Sequence, residues 1–357
     1  MRSALHTATF AALVLTLSVP AAAQPAPLSF DLVHSWTDSG CQFAMLSKFP
    51  SLSGVAINGA FIRWPGTTAT WSGECTNGSV SGSGFLHVSR DGNEVLSFEG
   101  GMKDGVPTGA GTYHLAGGMT LTGSLQGGCL ADGHVVISTE SGFLYDGAWK
   151  DGRPEGRGTM KRPNGGRYEG EWHNGHREGQ GAYSWPSGNR YEGGWQADEQ
   201  SGRGVLVLAD GGQFEGDWFH GKLLGHGMQA YASGVRYEGE FQAGKRSGHG
   251  VMLLPNGDRL EGNWENDNLD GPGSYIGAGG DRFEGELRAG WPDGRGVGIA
   301  PSGTRYEGEW RDGLPNGEGT LTQAGKPPFT GTWVNGCFSD GDRHAAFGMK
   351  PVSCQGQ

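Results

Sequence analysis

The chain has 357 residues and a formal net charge of −11 at neutral pH. An acidic protein repels nucleic-acid phosphates and anionic lipid headgroups, so this composition argues against nucleic-acid binding and against binding to a membrane surface. The chain is also glycine-rich, with 70 glycines, a share that is compatible with an ordered fold only where the glycines recur in a fixed pattern.

The first 23 residues are predicted to be a secretory signal peptide. Arg2 precedes an apolar run from Phe10 to Val19, and Ala21 to Ala23 are small residues of the kind found at cleavage sites. The apolar run is too short to span a bilayer. We therefore expect an exported protein, either periplasmic or secreted.

A pattern with a period of 23 residues organises most of the remaining chain. Its reference copy is the segment 168–172, Tyr-Glu-Gly-Glu-Trp, which is followed by Gly175, Gly179 and Gly181. A period in this range is the signature of a repeat array. We call the first residue of each copy its anchor, and the twelve anchors are Trp71, Phe98, Leu121, Tyr145, Tyr168, Tyr191, Phe214, Tyr237, Leu260, Phe283, Tyr306 and Phe329.

Each copy alternates between residues suited to a core and residues suited to water. Tyr168, Gly170 and Trp172 share one face of a strand, and the charged residues between them share the other. The preceding Pro163-Asn164-Gly165 has the composition of a tight turn. Each repeat is therefore predicted to be a β-hairpin, with the glycine-rich stretch 175–181 as a longer connection to the next hairpin.

Stacked hairpins of this kind predict an all-β fold, an elongated single sheet of about twelve repeats. The predicted boundaries are a signal peptide at 1–23, an N-terminal cap at 24–58, the repeat array at 59–338 and a C-terminal cap at 339–357. The predicted structural core consists of Tyr145, Gly147, Trp149, Tyr168, Gly170, Trp172, Tyr191, Gly193, Trp195, Phe214, Gly216, Trp218, Tyr237, Gly239, Leu260, Gly262, Trp264, Phe283, Gly285, Tyr306, Gly308 and Trp310.

Five cysteines are present, and in an exported protein some should be oxidised. Many two-bridge arrangements are open to five cysteines. The positions along the array favour Cys41 with Cys75 near its start and Cys337 with Cys354 near its end, which leaves Cys129 over.

The Tyr-Glu-Gly-Glu-Trp pattern with its later glycines resembles the MORN (membrane occupation and recognition nexus) repeat. Eight copies, from Tyr145 to Tyr306, keep the core glycine and both glycines of the later Gly-x-Gly. The copy at Leu121 is the poorest, with Asp132 and His134 at the expected Gly-x-Gly positions. The resemblance implies a slightly twisted sheet that acts as a scaffold, often as a dimer, and for some family members binding of phosphoinositides.

No residue is predicted to act in catalysis, bind a cofactor or hold a metal. Six copies have an arginine before the anchor and a glutamate after it, which predicts pairing between neighbouring strands. Equivalent carboxylates recur from repeat to repeat, so no carboxylate pair is distinguished as catalytic. His173 and His176, predicted to share a loop, would need a third ligand to hold a metal. The Gly-x-Gly steps do not continue as a nucleotide-binding motif.

Two functions from different classes remain open for the exported array. The first is a non-enzymatic scaffold that binds a protein partner or itself along the sheet. The second is a module that binds envelope glycans through aromatic rings, with Trp185, Tyr231 and Trp291 as candidates for exposed stacking positions. Phosphoinositide binding is disfavoured by the net charge.

Overall fold

The structure is a computed structural model that describes residues 32–36, 42–46, 67–76, 79–341 and 343–350, together with Val352 and Cys354. The predicted signal peptide, most of the predicted N-terminal cap and Cys41 lie outside these residues. The described part of the chain consists of strands and turns, and no helix in it could span a membrane.

The strands are numbered in chain order. Their bounds are β1 Leu32–Trp36, β2 Gln42–Leu46, β3 Thr67–Trp71, β4 Glu74–Thr76, β5 Ser79–Arg90, β6 Asn93–Lys103, β7 Val106–Leu115, β8 Met119–Gln126, β9 Cys129–Ser138, β10 Leu144–Lys150, β11 Arg153–Lys161, β12 Arg167–His173, β13 His176–Ser184, β14 Arg190–Gln196, β15 Glu199–Val207, β16 Gln213–Phe219, β17 Lys222–Ala230, β18 Arg236–Gln242, β19 Lys245–Leu253, β20 Arg259–Glu265, β21 Asn268–Ile276, β22 Arg282–Arg288, β23 Trp291–Ile299, β24 Arg305–Arg311, β25 Leu314–Thr322, β26 Phe329–Trp333, β27 Cys337–Ser339 and β28 His344–Ala346.

From β5 to β26 each strand pairs antiparallel with the next strand along the chain. At the N-terminal end, β3 and β4 pair with different parts of β5, and β1 pairs with β2. At the other end β27 and β28 form a separate pair. The predicted all-β fold, one long open sheet of stacked hairpins, is confirmed.

Two kinds of turn alternate along the sheet. The predicted Pro-Asn-Gly turn lies between β11 and β12, at residues 162–166. Between β12 and β13 there are only Asn174 and Gly175, whose φ angles of 50° and 82° are those that a two-residue hairpin turn requires. The prediction of a long connection at 175–181 is therefore wrong, because β13 begins at His176.

The glycines of each Gly-x-Gly step lie inside a strand, for two different physical reasons. Gly170 of β12 pairs with Gly181 of β13, and beyond this pair β13 has more residues than β12, so it bulges. Gly179 lies in the bulge with a φ of 71°, a conformation that favours glycine. Gly181 leaves space for an aromatic ring, since a Cβ atom there would lie 2.3 Å from the hydroxyl oxygen of Tyr168.

The copy with Leu121 as its anchor has one more residue in this bulge than the regular copies. The positions assigned from the sequence to Asp132 and His134 are occupied in the sheet by Gly133 and Val135. The first glycine of the step is therefore present, and only the second is replaced. A valine can stand there because the anchor of this copy is a leucine, which leaves more room than a tyrosine ring.

The predicted core residues lie on one face of the sheet, which we call the aromatic face. Tyr168 has no exposed surface, and its ring meets Trp172 of its own repeat and Trp195 of the next edge to face, with centroids 5.1 and 5.4 Å apart. Such pairs contribute about 0.5–1.5 kcal/mol beyond the area they bury. Rings of successive repeats thus cover one another, and one sheet layer can form a core.

Candidate interaction surface

Most polar atoms of the aromatic face are bonded within the sheet, and among its described rings the indole nitrogen of Trp149 is an exception, being buried without a hydrogen-bond partner. The Tyr168 hydroxyl donates to the backbone carbonyl of Glu171 at 2.9 Å, and the anchors Tyr145, Tyr191, Tyr237 and Tyr306 bond the residue three positions on in the same way. The indole N–H of Trp195 donates to the carbonyl of Gly181 at 3.0 Å. These rings are buried and bonded, so they offer no free stacking surface to a sugar.

Burial of the anchors predicts a loss of stability at alkaline pH. Burial raises the pKa of Tyr145, Tyr168, Tyr191, Tyr237 and Tyr306 above the ordinary value. A tyrosine with a raised folded-state pKa stabilises the fold fully below its unfolded value, about pH 10, and loses that contribution as the pH rises further. We expect the urea unfolding midpoint to fall steeply above about pH 10. Tyrosinate absorbance should appear together with loss of the β-sheet circular dichroism signal, and ionisation of these tyrosines in an intact sheet would contradict this.

The three rings considered as glycan-stacking candidates are half-buried, and each has a neighbour. Trp185 lies edge to face with Tyr183 at 4.8 Å, and Tyr231 with Phe214 at 5.5 Å. Trp291 lies 4.0 Å from the ammonium nitrogen of Lys350, measured to the ring centroid. The structure therefore places Trp185 and Tyr231 at the margins of the core and places Lys350 over the ring of Trp291.

The C-terminal segment packs back on the end of the aromatic face. Cys337 and Cys354 are joined by a disulfide, the pairing predicted for this end of the array. Phe347 is buried, and its ring centroid lies 6.0 Å from that of Tyr306 and 6.0 Å from that of Trp310. The segment thus covers the last rings of the array. The proposed partner of Cys75 lies outside the described residues.

Two repeats depart from the pattern with an Arg–Asp ion pair that was not identified from the sequence, and its arginine is buried in the first repeat and half-buried in the second. Arg177 of β13 is 6% exposed, and its Nε donates to an Asp198 carboxylate oxygen at 3.0 Å. Arg246 and Asp267, three repeats later, form the same bond at 3.0 Å. Elsewhere from β11 to β25 the arginine position holds proline, glutamine or leucine and the aspartate position holds glycine. The two substitutions therefore occur together.

The histidines do not form a metal centre in the described part of the chain, where no group of three or more metal-ligating residues is suitably placed. His173 and His176 lie at the ends of paired strands and not in a shared loop. Each bonds a different carboxylate, His173 that of Glu155 at 3.0 Å and His176 that of Asp198 at 2.7 Å. Their arrangement serves to join neighbouring turns.

The opposite side of the sheet, which we call the outer face, carries the Arg and Glu residues of the repeats. Arg167 and Glu169 are 2.7 Å apart, and Arg190 and Glu192 are 2.8 Å apart. Both pairs lie within one strand, so the predicted pairing between neighbouring strands is wrong for them. The reason is the register, which places Val207 opposite Arg190, so that equivalent charged strands are separated by an intervening strand.

A depression lies on the outer face near the middle of the array. Its lining includes His226, Arg236, Glu240, His249 and Leu253, which come from three neighbouring strands. An arginine, two histidines, a carboxylate and an aliphatic side chain lie together there. The outer face can thus form ion pairs and apolar contacts, which makes it the candidate interaction surface.

Comparison with protein families gives nine matches to the MORN repeat, and they cover more than half of the chain. No curated protein sequence matches the chain. The matched residues are 98–120, 145–167, 168–190, 191–213, 214–236, 237–259, 261–282, 283–305 and 306–325.

Solved structures show only a distant likeness. The G-box domain of the microcephaly protein CPAP is 12% identical, with a TM-score of 0.31, over 57% of this chain and 100% of that domain. The TCP domain of Drosophila melanogaster SAS-4, solved with a proline-rich motif of Ana2, is 14% identical, with a TM-score of 0.25, over 49% of this chain and 83% of that one. Streptogramin B lyase is 11% identical, with a TM-score of 0.12, over 71% and 94% of the two chains.

Proposed function

Because this chain belongs to the MORN-repeat family, whose repeats generally form non-enzymatic scaffolds, we propose that it is an exported scaffold that binds a protein partner, or a second copy of itself, along the sheet. The observation that carries the proposal is the contrast between the two faces. The aromatic face is filled by its own rings, whereas the outer face presents ordered rows of charged and aliphatic side chains to solvent.

Geometry supports binding over catalysis. The charged pairs of the outer face recur from repeat to repeat. Even the least exposed of them, Arg259 with Glu261, keeps 35% and 33% of its side chains exposed, so none is set apart as a desolvated catalytic pair. An extended repeated surface can instead contact a partner at several repeats at once. Each contact is weak, but contacts made together along one rigid sheet add to a useful affinity.

Export is supported by two observations. The sequence begins with the predicted signal segment, and Cys337 and Cys354 form a disulfide in the structure. Disulfides persist in oxidising compartments and are rare in the cytosol. The partner is therefore sought among proteins of the cell envelope or the secreted fraction.

The test is capture from an envelope extract by the purified protein, beside co-sedimentation with insoluble peptidoglycan. Leu253→Asp with Ile276→Asp alters two exposed outer-face residues, and Val334→Asp is the control, since Val334 is similarly exposed but lies near the C-terminal end. We expect the wild-type protein and the control to capture a protein and the double variant to lose it. Retention on peptidoglycan with no captured protein would favour glycan binding and overturn the proposal.

A further inference from the structure

Two parallel rows of side chains cross the outer face from β14 to β24, one residue per strand in each row. In the first, which we call the Arg row, basic or polar residues of the even-numbered strands alternate with aliphatic residues of the odd-numbered strands. Its members, in register, are Arg190, Val207, Gln213, Ala230, Arg236, Leu253, Arg259, Ile276, Arg282, Ile299 and Arg305.

The second row, which we call the Glu row, lies two residues further along each strand, about 7 Å away. Every even-numbered strand contributes a glutamate, and the odd-numbered strands contribute mainly aliphatic residues. Its members, in register, are Glu192, Val205, Glu215, Met228, Glu238, Val251, Glu261, Ser274, Glu284, Val297 and Glu307.

The rows remain open to solvent despite their apolar content. Val207, Leu253, Ile276 and Ile299 keep 40%, 41%, 37% and 36% of their surface exposed. The equivalent positions at both ends of the regular array are polar, namely Lys161, Ser184 and Thr322. The large exposed aliphatic residues of the Arg row thus lie between β15 and β23, and exposed clusters of this kind mark interaction sites.

The pattern is self-complementary under one symmetry operation. A two-fold axis that runs between the rows, parallel to them, exchanges the rows when a second copy is placed face to face. The Arg row of each copy then lies over the Glu row of the other, and aliphatic residues lie over aliphatic residues. A two-fold axis parallel to the strands would instead place each row over itself, so arginines would lie over arginines or over aliphatic residues and never over glutamates.

We propose that the outer face of β14 to β24 is a homodimer interface, in which a second copy of this chain packs face to face about a two-fold axis parallel to the Arg and Glu rows. This inference rests on the proposed scaffold function and identifies one partner and its surface. The residues that contact each other are the same patch on both copies, as a two-fold interface requires.

The size of the patch fits a specific dimer. Eleven strands at about 4.8 Å spacing, crossed by two rows that each cover about 7 Å of strand, give a footprint of roughly 700 Å² on each copy. Stable interfaces bury about 800 Å² per partner. The footprint is large enough for a specific interface.

The existing ion pairs do not oppose this arrangement. Arg190 and Glu192 are 48% and 70% exposed, and Arg305 and Glu307 are 42% and 62% exposed. Exposed pairs of this kind contribute little to stability. Each arginine can therefore keep its own glutamate and also approach the glutamate of the second copy, which makes a network across the interface.

The experiment is sedimentation of the purified full chain and of two charge-reversed variants, alone and mixed. The first variant combines Arg236→Glu, Arg259→Glu and Arg282→Glu. The second combines Glu238→Arg, Glu261→Arg and Glu284→Arg. A control with Glu140→Arg, Glu265→Arg and Glu318→Arg makes the same charge change as the second variant at exposed positions outside both rows. Circular dichroism establishes that each variant is folded.

We expect the wild type and the control to dimerise and each reversed variant to dimerise at least about a hundredfold more weakly, because like charges would then face each other. An equimolar mixture of the two variants should recover a dimer. At the mutated strands the first variant is acidic in both rows and the second is basic in both rows, so opposite charges would face each other. This recovery requires rows that lie opposite each other, so a structural defect in either variant would not produce it.

Three outcomes would overturn the inference, and they are separable from failure of the proposed function. A monomeric wild type would contradict the dimer. If that monomer nevertheless captured a different protein, the proposed scaffold function would still hold. A dimer that survives in both variants places self-association on another surface. A photo-reactive amino acid placed at Leu253 could also cross-link within one chain to residues before Thr67. That result would show that the chain's own N-terminal segment covers the rows.

Discussion

An Asp198→Gly variant is expected to lose about 3 kcal/mol of unfolding free energy, because it would leave the buried Arg177 without its carboxylate. The Arg177 guanidinium bonds both the carboxylate and the backbone carbonyl of Asp198, the latter at 2.6 Å, and its central carbon lies 4.3 Å from the ring centroid of Trp195. Removing one member of such a pair is costly since the remaining charge stays desolvated. Urea unfolding at neutral pH measures the loss.

The repeat array supplies the matched control. The double variant Arg177→Leu with Asp198→Gly reproduces the natural combination of Leu223 with Gly244. It is expected to unfold within about 1 kcal/mol of the wild type, because exchanging a whole buried ion pair for apolar packing is often neutral. A single variant Asp198→Gly that is as stable as the wild type would contradict the role given to the pair.

The same pair makes a testable contribution to acid stability. Burial raises the pKa of Asp198, but hydrogen bonds from Arg177 and His176 outweigh it, and the pKa lies below its usual value. A carboxyl with a lowered folded-state pKa stabilises the protein above its unfolded pKa, about 3.9, and loses this contribution as the pH falls through the folded value. The wild type should therefore lose its advantage over Asp198→Gly below about pH 4.

A Gly181→Val variant is expected to lose about 3 kcal/mol, because its side chain would occupy the space of a buried ring. A Cβ atom at this position would lie 2.3 Å from the Tyr168 hydroxyl oxygen and 2.6 Å from two of its ring carbons. The ring cannot move aside without breaking its contacts with Trp172 and Trp195. Thermal and urea unfolding provide the measurement.

The natural copy with Leu121 and Val135 indicates how the loss can be reduced. Adding Tyr168→Leu to Gly181→Val reproduces that combination of a smaller anchor and a larger partner. The double variant is expected to be more stable than Gly181→Val alone, because residues in direct contact are energetically coupled by about 0.5–3 kcal/mol. Simple addition of the two single losses would show that the ring and the glycine do not share this space.

The sequence was sufficient to predict the sheet because one copy explains the others. The alternation of Tyr168, Gly170 and Trp172 with charged residues has the period of a strand. Its recurrence predicts an equivalent strand, with the same buried and exposed faces, in each repeat. The bulge in β13 was not predictable from that alternation. Gly179 and Gly181 have the composition of a turn, and only the pairing of β12 with β13 shows that one adopts a positive φ and the other faces a ring.

The Arg177–Asp198 pair could have been predicted from the sequence. Arg177 and Arg246 stand at the same repeat position, and Asp198 and Asp267 stand at another, always 21 residues later. In a repeat array such joint departures indicate contact, as co-variation does between homologues. Asp198 was not recognised from the sequence because aspartate is itself common in tight turns, so its replacement of glycine at this position is not unusual.

The outer-face rows were harder to recognise because no contiguous stretch of sequence contains them. Each row takes one residue from each strand, and its aliphatic members belong to different strands from its charged members. Residues such as Leu253 and Arg236 are neighbours only through the antiparallel register of β18 and β19. The charged residues are recognisable in the sequence as pairs, whereas the aliphatic residues between them become visible only in the sheet.

We propose that partners bind the outer face, whereas the aromatic face is internal to the fold. A photo-reactive amino acid placed at Leu253 on the outer face, or at Trp185 on the margin of the aromatic face, tests this claim directly by mass spectrometry of cross-linked products in the native compartment. We predict cross-links to a second copy or to another protein from position 253 and none from position 185. Cross-links from position 185, with none from position 253, would contradict the account.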